Sequence, residues 1–153
     1  MPPHTETGYQ SIPNYVTSVI ENKPSGLIGP LEVSKILNNH ADNALKLLQN
    51  INSNNNKELL NTLNDIQSMA YLGKYYAFKI SGATNLALYR KTKEKSAQDE
   101  AVKQLSSALE YWKKYTESAM LQYKNPLWTN RVGIVDWVEL TKEVRKDIEM
   151  ALE

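Results

Sequence analysis

The sequence predicts an all-α protein: a mostly antiparallel four-helix bundle with one long central helix and an extended N-terminal arm. Three observations carry that prediction. Apolar residues recur at three-and-four spacing over most of the chain beyond Pro30. The stretch from Glu58 to Tyr89 keeps a helical pattern interrupted only by small residues. Five of the six prolines (Pro2, Pro3, Pro13, Pro24 and Pro30), with Gly8, Gly26 and Gly29, gather at the start, leaving the remainder almost free of helix breakers. At 153 residues the chain suits one domain with a sizeable core, divided into an arm over 1–29 packed on a helical bundle over 30–153.

The arm is too rich in Pro and Gly for extended regular structure. It nevertheless carries Ile12, Tyr15, Val16, Val19, Ile20, Leu27 and Ile28, too many apolar residues for a solvated tail, so it is expected to lie against the helices with a short helix around Tyr15–Asn22. Gly29-Pro30 opens the first strong helix, because proline is preorganised for the first turn and lacks only an amide hydrogen that would be unpaired there. Its expected span is about Pro30 to Ile51, with Val33, Ile36, Leu37, Ala41, Ala44, Leu45, Leu48 and Ile51 inward. Asn52-Ser53-Asn54-Asn55-Asn56 ends it, since these side chains compete for backbone hydrogen bonds.

The second helix, about Lys57 to Lys91, would be roughly 50 Å long. Leu59, Leu63, Ile66, Ala70, Gly73, Ala77, Ile80, Ala83 and Ala87 form its stripe, widened by Leu60, Met69, Leu72, Tyr76, Leu86 and Tyr89. Gly73 and Gly82 imply close packing or a bend, with Ser81-Gly82 the expected bend. Ser96-Ala-Gln-Asp99 reads as an approximate capping box for a third helix, with Ala101, Leu105, Ala108, Leu109, Trp112, Tyr115, Ala119, Met120 and Tyr123 inward and a stop near Asn125-Pro126. A loop from Pro126 to Val135 follows. Asp136 then caps a last helix whose expected stripe is Val138, Leu140, Val144, Ile148 and Leu152. Helices of such unequal length do not sustain a tetratricopeptide-like period.

Composition narrows the function classes. With 18 Lys plus Arg against 17 Asp plus Glu, no whole-molecule field favours a polyanion, so nucleic acid is not an expected partner. No apolar run is long enough for a membrane-spanning helix, and membrane insertion is not expected. The absence of cysteine rules out disulfides and thiolate chemistry. It fits a reducing cytosol as well as a disulfide-free bacterial periplasm or cell surface, the latter pair being favoured. Met-Pro-Pro-His-Thr without a signal pattern also suits a domain excised from a longer polypeptide.

Catalytic signatures are sparse. His40 lies near Asp42 and His4 in the arm, but no ligand spacing for a metal accompanies them, so neither metal nor cofactor is expected. No Gly-x-Ser-x-Gly or phosphate-loop run occurs. Asp42, Asp65, Asp136 and Asp147 are the acids that could converge as a paired-carboxylate hydrolase, although capping by Asp136 and pairing by Asp65 account for them more simply. Nine tyrosines and three tryptophans against one phenylalanine favour partly buried interfaces or sugar platforms. Tyr111, Trp112, Tyr115 and Tyr123 stand at helical spacing, as core residues do. Trp128 sits in a loop beside Arg131, a pairing enriched at interaction hot spots. Trp128, Arg131 and, in the arm, Tyr15 are the candidate partner or glycan contacts.

The succession Ser11-Ile-Pro-Asn-Tyr15, Gly29-Pro-Leu-Glu-Val33, Ala41-Asp-Asn-Ala-Leu45, Asp65-Ile-Gln-Ser-Met-Ala-Tyr-Leu-Gly73-Lys-Tyr-Tyr-Ala77 and Gly133-Ile-Val-Asp-Trp137 resembles the helical C-terminal region of large carbohydrate-active proteins of Bacteroidetes and related bacteria, including glycoside-hydrolase-like and α-glucuronidase-like chains. The resemblance spans about Tyr9 to Ala151 and rests on packing patterns. It implies an upstream barrel holding the catalytic carboxylates, so it transfers no catalytic residue to this chain. The expected role is a noncatalytic accessory module that packs on another domain or subunit of a carbohydrate-active protein. A glycan-binding module and a small hydrolase are the alternatives.

Overall fold

The computed structural model describes residues 6–153. It contains α1 (Ile12–Ile20), α2 (Pro30–Leu48), α3 (Lys57–Thr92), α4 (Lys95–Met120), a hairpin of β1 (Leu127–Thr129) and β2 (Gly133–Val135), and α5 (Trp137–Leu152). The all-α reading holds, with α3 as the long central helix. Neighbours pack in chain order: α2 on α3, α3 on α4 and α4 on α5, while α1 leans on α3. The pairs run antiparallel. Ala41 faces Gly73 as the Ser34 hydroxyl reaches the Ala77 carbonyl at 2.7 Å, and Ser68 bonds Ser118 at 2.8 Å while Gly82 abuts Leu105.

The arm closes on itself around α1. Its ends are drawn together where Gln10 N–H donates to the Ile28 carbonyl and Ile28 N–H to that of Gly8, both at 2.9 Å. Ser11 caps α1 by accepting from the Asn14 amide at 3.3 Å, and Pro13 occupies the first turn. The helix therefore begins earlier than the spacing suggests and stops before Asn22, whose φ of 53° is left-handed. Val16 is the buried anchor of α1.

Pro30 starts α2 after an uncapped Gly29, as expected. The helix ends at Leu48, a turn short of Ile51, and Asn54 and Asn55 take the left-handed conformation in the connection. Asn56 accepts from the Leu59 amide at 3.0 Å to open α3. With 36 residues, α3 is about 54 Å long at 1.5 Å per residue. It runs through Ser81-Gly82 as one helix. Gly82 is present because a Cβ there would lie 2.6 Å from Leu105 Cγ; its absence lets α4 approach. Lys93, at φ 62°, ends α3 by donating its amide to the Tyr89 carbonyl.

That left-handed residue turns the chain so sharply that Glu94 already stands at the N-cap of α4, without a side-chain cap bond. Ser96 is thus inside the helix rather than its cap, and Asp99 pairs with Lys95 at 3.2 Å. The helix stops at Met120, ahead of Asn125-Pro126, whose peptide is cis.

Expected inward positions are corrected on each main helix: Ile36 of α2 and Met120 of α4 are exposed, and the faces of α5 and α3 differ more. On α5 the buried residues are Trp137, Val144 and Ala151, while Val138, Leu140 and Leu152 are exposed. Positions 137, 141, 144, 148 and 151 repeat at helical spacing as faithfully as the expected set. The small Ala151, whose carbonyl accepts from buried Gln98 at 2.8 Å, brings this face against α4. On α3, Leu60, Ile66, Met69 and Tyr76 lie outside the packed face, whereas Lys74 is buried. Its ammonium bonds Asp42 of α2 and stands 5.1 Å from the Tyr111 ring centroid, so charge and ring face replace lost water. The core is centred on Tyr75, Leu109, Trp112, Trp137 and Val144, joining α3, α4 and α5.

Candidate functional site

The segment expected as a loop between Pro126 and Val135 is an antiparallel hairpin. Leu127 pairs with Val135, Trp128 with Ile134 and Thr129 with Gly133. Asn130, Arg131 and Val132 form the tip, where the Thr129 hydroxyl accepts from the Val132 amide at 3.3 Å and Gly133 takes φ 75°. Strand alternation then sorts the side chains. Leu127 and Val135 turn inward onto the core, and Trp128 and Ile134 stand opposite each other on the outer face.

The outer face is open to an unusual degree. Trp128 is 70% exposed, Val132 71% and Ile134 71%. Arg131 is exposed at the tip. From 121 to 135 the only charged residues are Lys124 and Arg131, and neither forms a salt bridge among the described residues. The hairpin is nevertheless held firmly at its root. Asn125 donates to the Asp136 carboxylate at 2.9 Å and accepts from the Trp137 amide at 2.8 Å. The same carboxylate caps α5 through the amides of Val138 and Glu139 at 3.0 and 3.2 Å. The Asn125 bond, then the Glu139 and Val138 amides, hold the Asp136 carboxyl below its ordinary range.

Tyr15 belongs to a different place. It lies half-buried on α1 with its ring against Gly29, in a groove lined by residues between Gln10 and Glu32 and by none from the hairpin. The structure brings Trp128 and Arg131 together on one hairpin and leaves Tyr15 apart.

The four singled-out carboxylates are each engaged separately. Asp42 binds Lys74 and accepts from Asn38 at 3.1 Å. Asp65 accepts from Gln122 at 2.9 Å and from the Tyr123 hydroxyl at 3.0 Å, tying the end of α4 to α3. Tyr123 is therefore an exposed hydrogen-bonding residue rather than a core ring, and the bond to Asp65 raises its hydroxyl pKa. Asp147 pairs with Lys79 at 2.7 Å. His40 is exposed, and His4 lies outside the described residues. Among the described residues no group of three or more His, Asp or Glu is placed to hold a metal, and no helix is long and apolar enough to cross a membrane.

A second concavity, which the sequence did not suggest, lies where α3, α4 and α5 meet. This groove of about 670 Å³ has Tyr75, Lys79 and Asp147 on its wall, with half-exposed Tyr76 and Met150 beside them. Burial raises the Tyr75 pKa. Burial opposes the Lys79 ammonium, but hydrogen bonds to Asp147 and Tyr75 outweigh it and raise its pKa. Comparison with known proteins gives no match: no family model, no curated protein and no solved structure is significantly similar to this chain.

Proposed function

We propose that this chain is a noncatalytic helical interaction module whose contact surface is the hairpin between α4 and α5. The observation that supports this reading is the pairing of Trp128 with Ile134 on a strand face that is rooted in the core yet left open to solvent. A hairpin bonded at its root and packed on the core along its inner face needs less ordering to bind than a free loop, and Trp and Arg are among the residues most enriched where binding energy concentrates. A sugar platform uses rings that share a plane. Trp128 has an aliphatic residue opposite it and no ring neighbour among the described residues, which favours a polypeptide partner over a glycan. That this partner is another part of a carbohydrate-active protein rests on the sequence resemblance alone.

The test is a photo-cross-linking residue at position 132, used in a native bacterial extract. Polypeptide adducts that disappear in Trp128→Ser are expected. A folded protein that yields no polypeptide adduct overturns the reading.

A further inference from the structure

The hairpin and the α3–α4–α5 groove are complementary in the two respects that matter for association. The hairpin offers Trp128, Val132 and Ile134 with Lys124 and Arg131 and no acid between 121 and 135. The groove offers Tyr76, Leu140 and Met150, exposed by 50%, 38% and 44%, and is bordered by Glu149 and Glu153. Lys79 pairs with Asp147 and Lys146 with Glu143, and Glu149 acts on Lys146 from a distance, so the two remaining acids leave the lining with an excess of negative charge. An apolar projection with two cations and no acid therefore meets an apolar concavity whose lining holds four acids, Glu143, Asp147, Glu149 and Glu153, against the two lysines Lys79 and Lys146.

We infer that the partner is a second copy of this chain, the hairpin of each copy seated in the α3–α4–α5 groove of the other. This deepens the interaction reading and rests on it. The hairpin cannot serve its own groove, because Leu127, Val135 and the Asn125–Asp136–Trp137 bonds fix its inner face to its own core. The groove runs along α5 from Leu140 to Glu153, so its acidic end at Glu149 and Glu153 lies at the far end of α5 from the hairpin, which precedes Trp137. Pairing two copies about a two-fold axis with their α5 helices antiparallel brings each hairpin to the other groove, and the contact closes at two members. Hairpin-on-hairpin pairing is disfavoured, since Arg131 and Lys124 would face their own counterparts with no acid between them.

Sedimentation equilibrium from about 1 µM to about 1 mM tests the inference. A monomer–dimer equilibrium that weakens with added salt is expected. Trp128→Ser, the pair Lys124→Glu with Arg131→Glu, and the pair Glu149→Lys with Glu153→Lys should each raise the dissociation constant at least about tenfold. Combining both charge-reversed pairs should restore association, an outcome that simple damage to the fold would not produce. Unchanged helical circular dichroism in each variant keeps the comparison valid. A wild-type chain that stays monomeric throughout, or a dimer indifferent to these reversals, overturns the inference. Hairpin cross-links to other polypeptides with a monomeric chain would leave the interaction reading standing, whereas no polypeptide adduct would remove both.

Discussion

Trp112 and Trp128 are the same side chain put to opposite uses. Trp112 is 8% exposed, packs 5.1 Å from the Tyr75 ring and donates its indole N–H to Thr141 at 2.9 Å. Trp128 is 70% exposed and stands opposite Ile134 on the outer face of its hairpin. The difference lies in what surrounds the backbone. Three helices converge at Trp112, whereas a three-residue strand has two faces and only one can meet the core. An indole that folding leaves in water is available for binding, and one enclosed by helices is committed to stability.

The largest effect should come from inverting that contrast. Trp112→Ala should cost about 3–5 kcal/mol, because it opens a cavity under Tyr75 and Trp137. In thermal denaturation this is a fall in Tm of about 6–20 °C for a chain of this size. Trp128→Ser, in dilute protein, should stay within about 0.5 kcal/mol of wild type. Equal losses from the two would erase the distinction between core and contact tryptophan.

A smaller pair of changes sharpens the same contrast within α3. Gly82→Ala forces a methyl against Leu105, with Cγ at 2.6 Å and the backbone nitrogen at 3.2 Å, so it should destabilise by about 1–3 kcal/mol before a helix-propensity gain of about 1 kcal/mol. At Gly73 the added methyl meets only Ala41 Cβ at 3.6 Å, an ordinary contact. Gly73→Ala should therefore stabilise by about 0.5–1 kcal/mol. Urea denaturation of both variants checks the opposite signs.

The smallest effect concerns the joint between core and hairpin. Asp136 has a depressed carboxyl pKa in the folded state, so its ionised form contributes stability that is complete above the unfolded value and is lost as pH falls through the folded value. Asp136→Asn retains an acceptor without the charge. The stability gap between wild type and this variant should narrow as pH drops below about 4. A gap constant from neutral to acidic pH would remove charge from the account of the joint.

Much of the helical framework was legible because its signals are local. Pro30 after Gly29, the Asn-rich break before Lys57 and the cap at Asp136 act on neighbouring backbone groups and appear where they were expected. Trp128 and Arg131 stood out in the sequence as candidate contacts, and the fold leaves both exposed. The hairpin itself was not, since three-residue strands carry too little alternation to be distinguished from a loop. The α5 face was misread because Val138, Leu140 and Leu152 offered a competing stripe, and nothing in the helix itself selects between two periodic sets. Lys74 was invisible as an interior residue, since its ring and carboxylate partners come from three other positions, two of them on other helices.

By itself the sequence determined that this chain forms long helices, where α2, α3 and α5 begin and that one tryptophan stands apart from the others. These are properties of runs of neighbouring residues, set by spacing, capping and backbone freedom. Tertiary structure alone decided which face of α5 is buried, that the Trp128 segment pairs with Gly133–Val135, and that Glu149 and Glu153 border a groove. Each depends on surfaces far apart in the chain meeting, and the energy of that meeting belongs to the contact rather than to either segment.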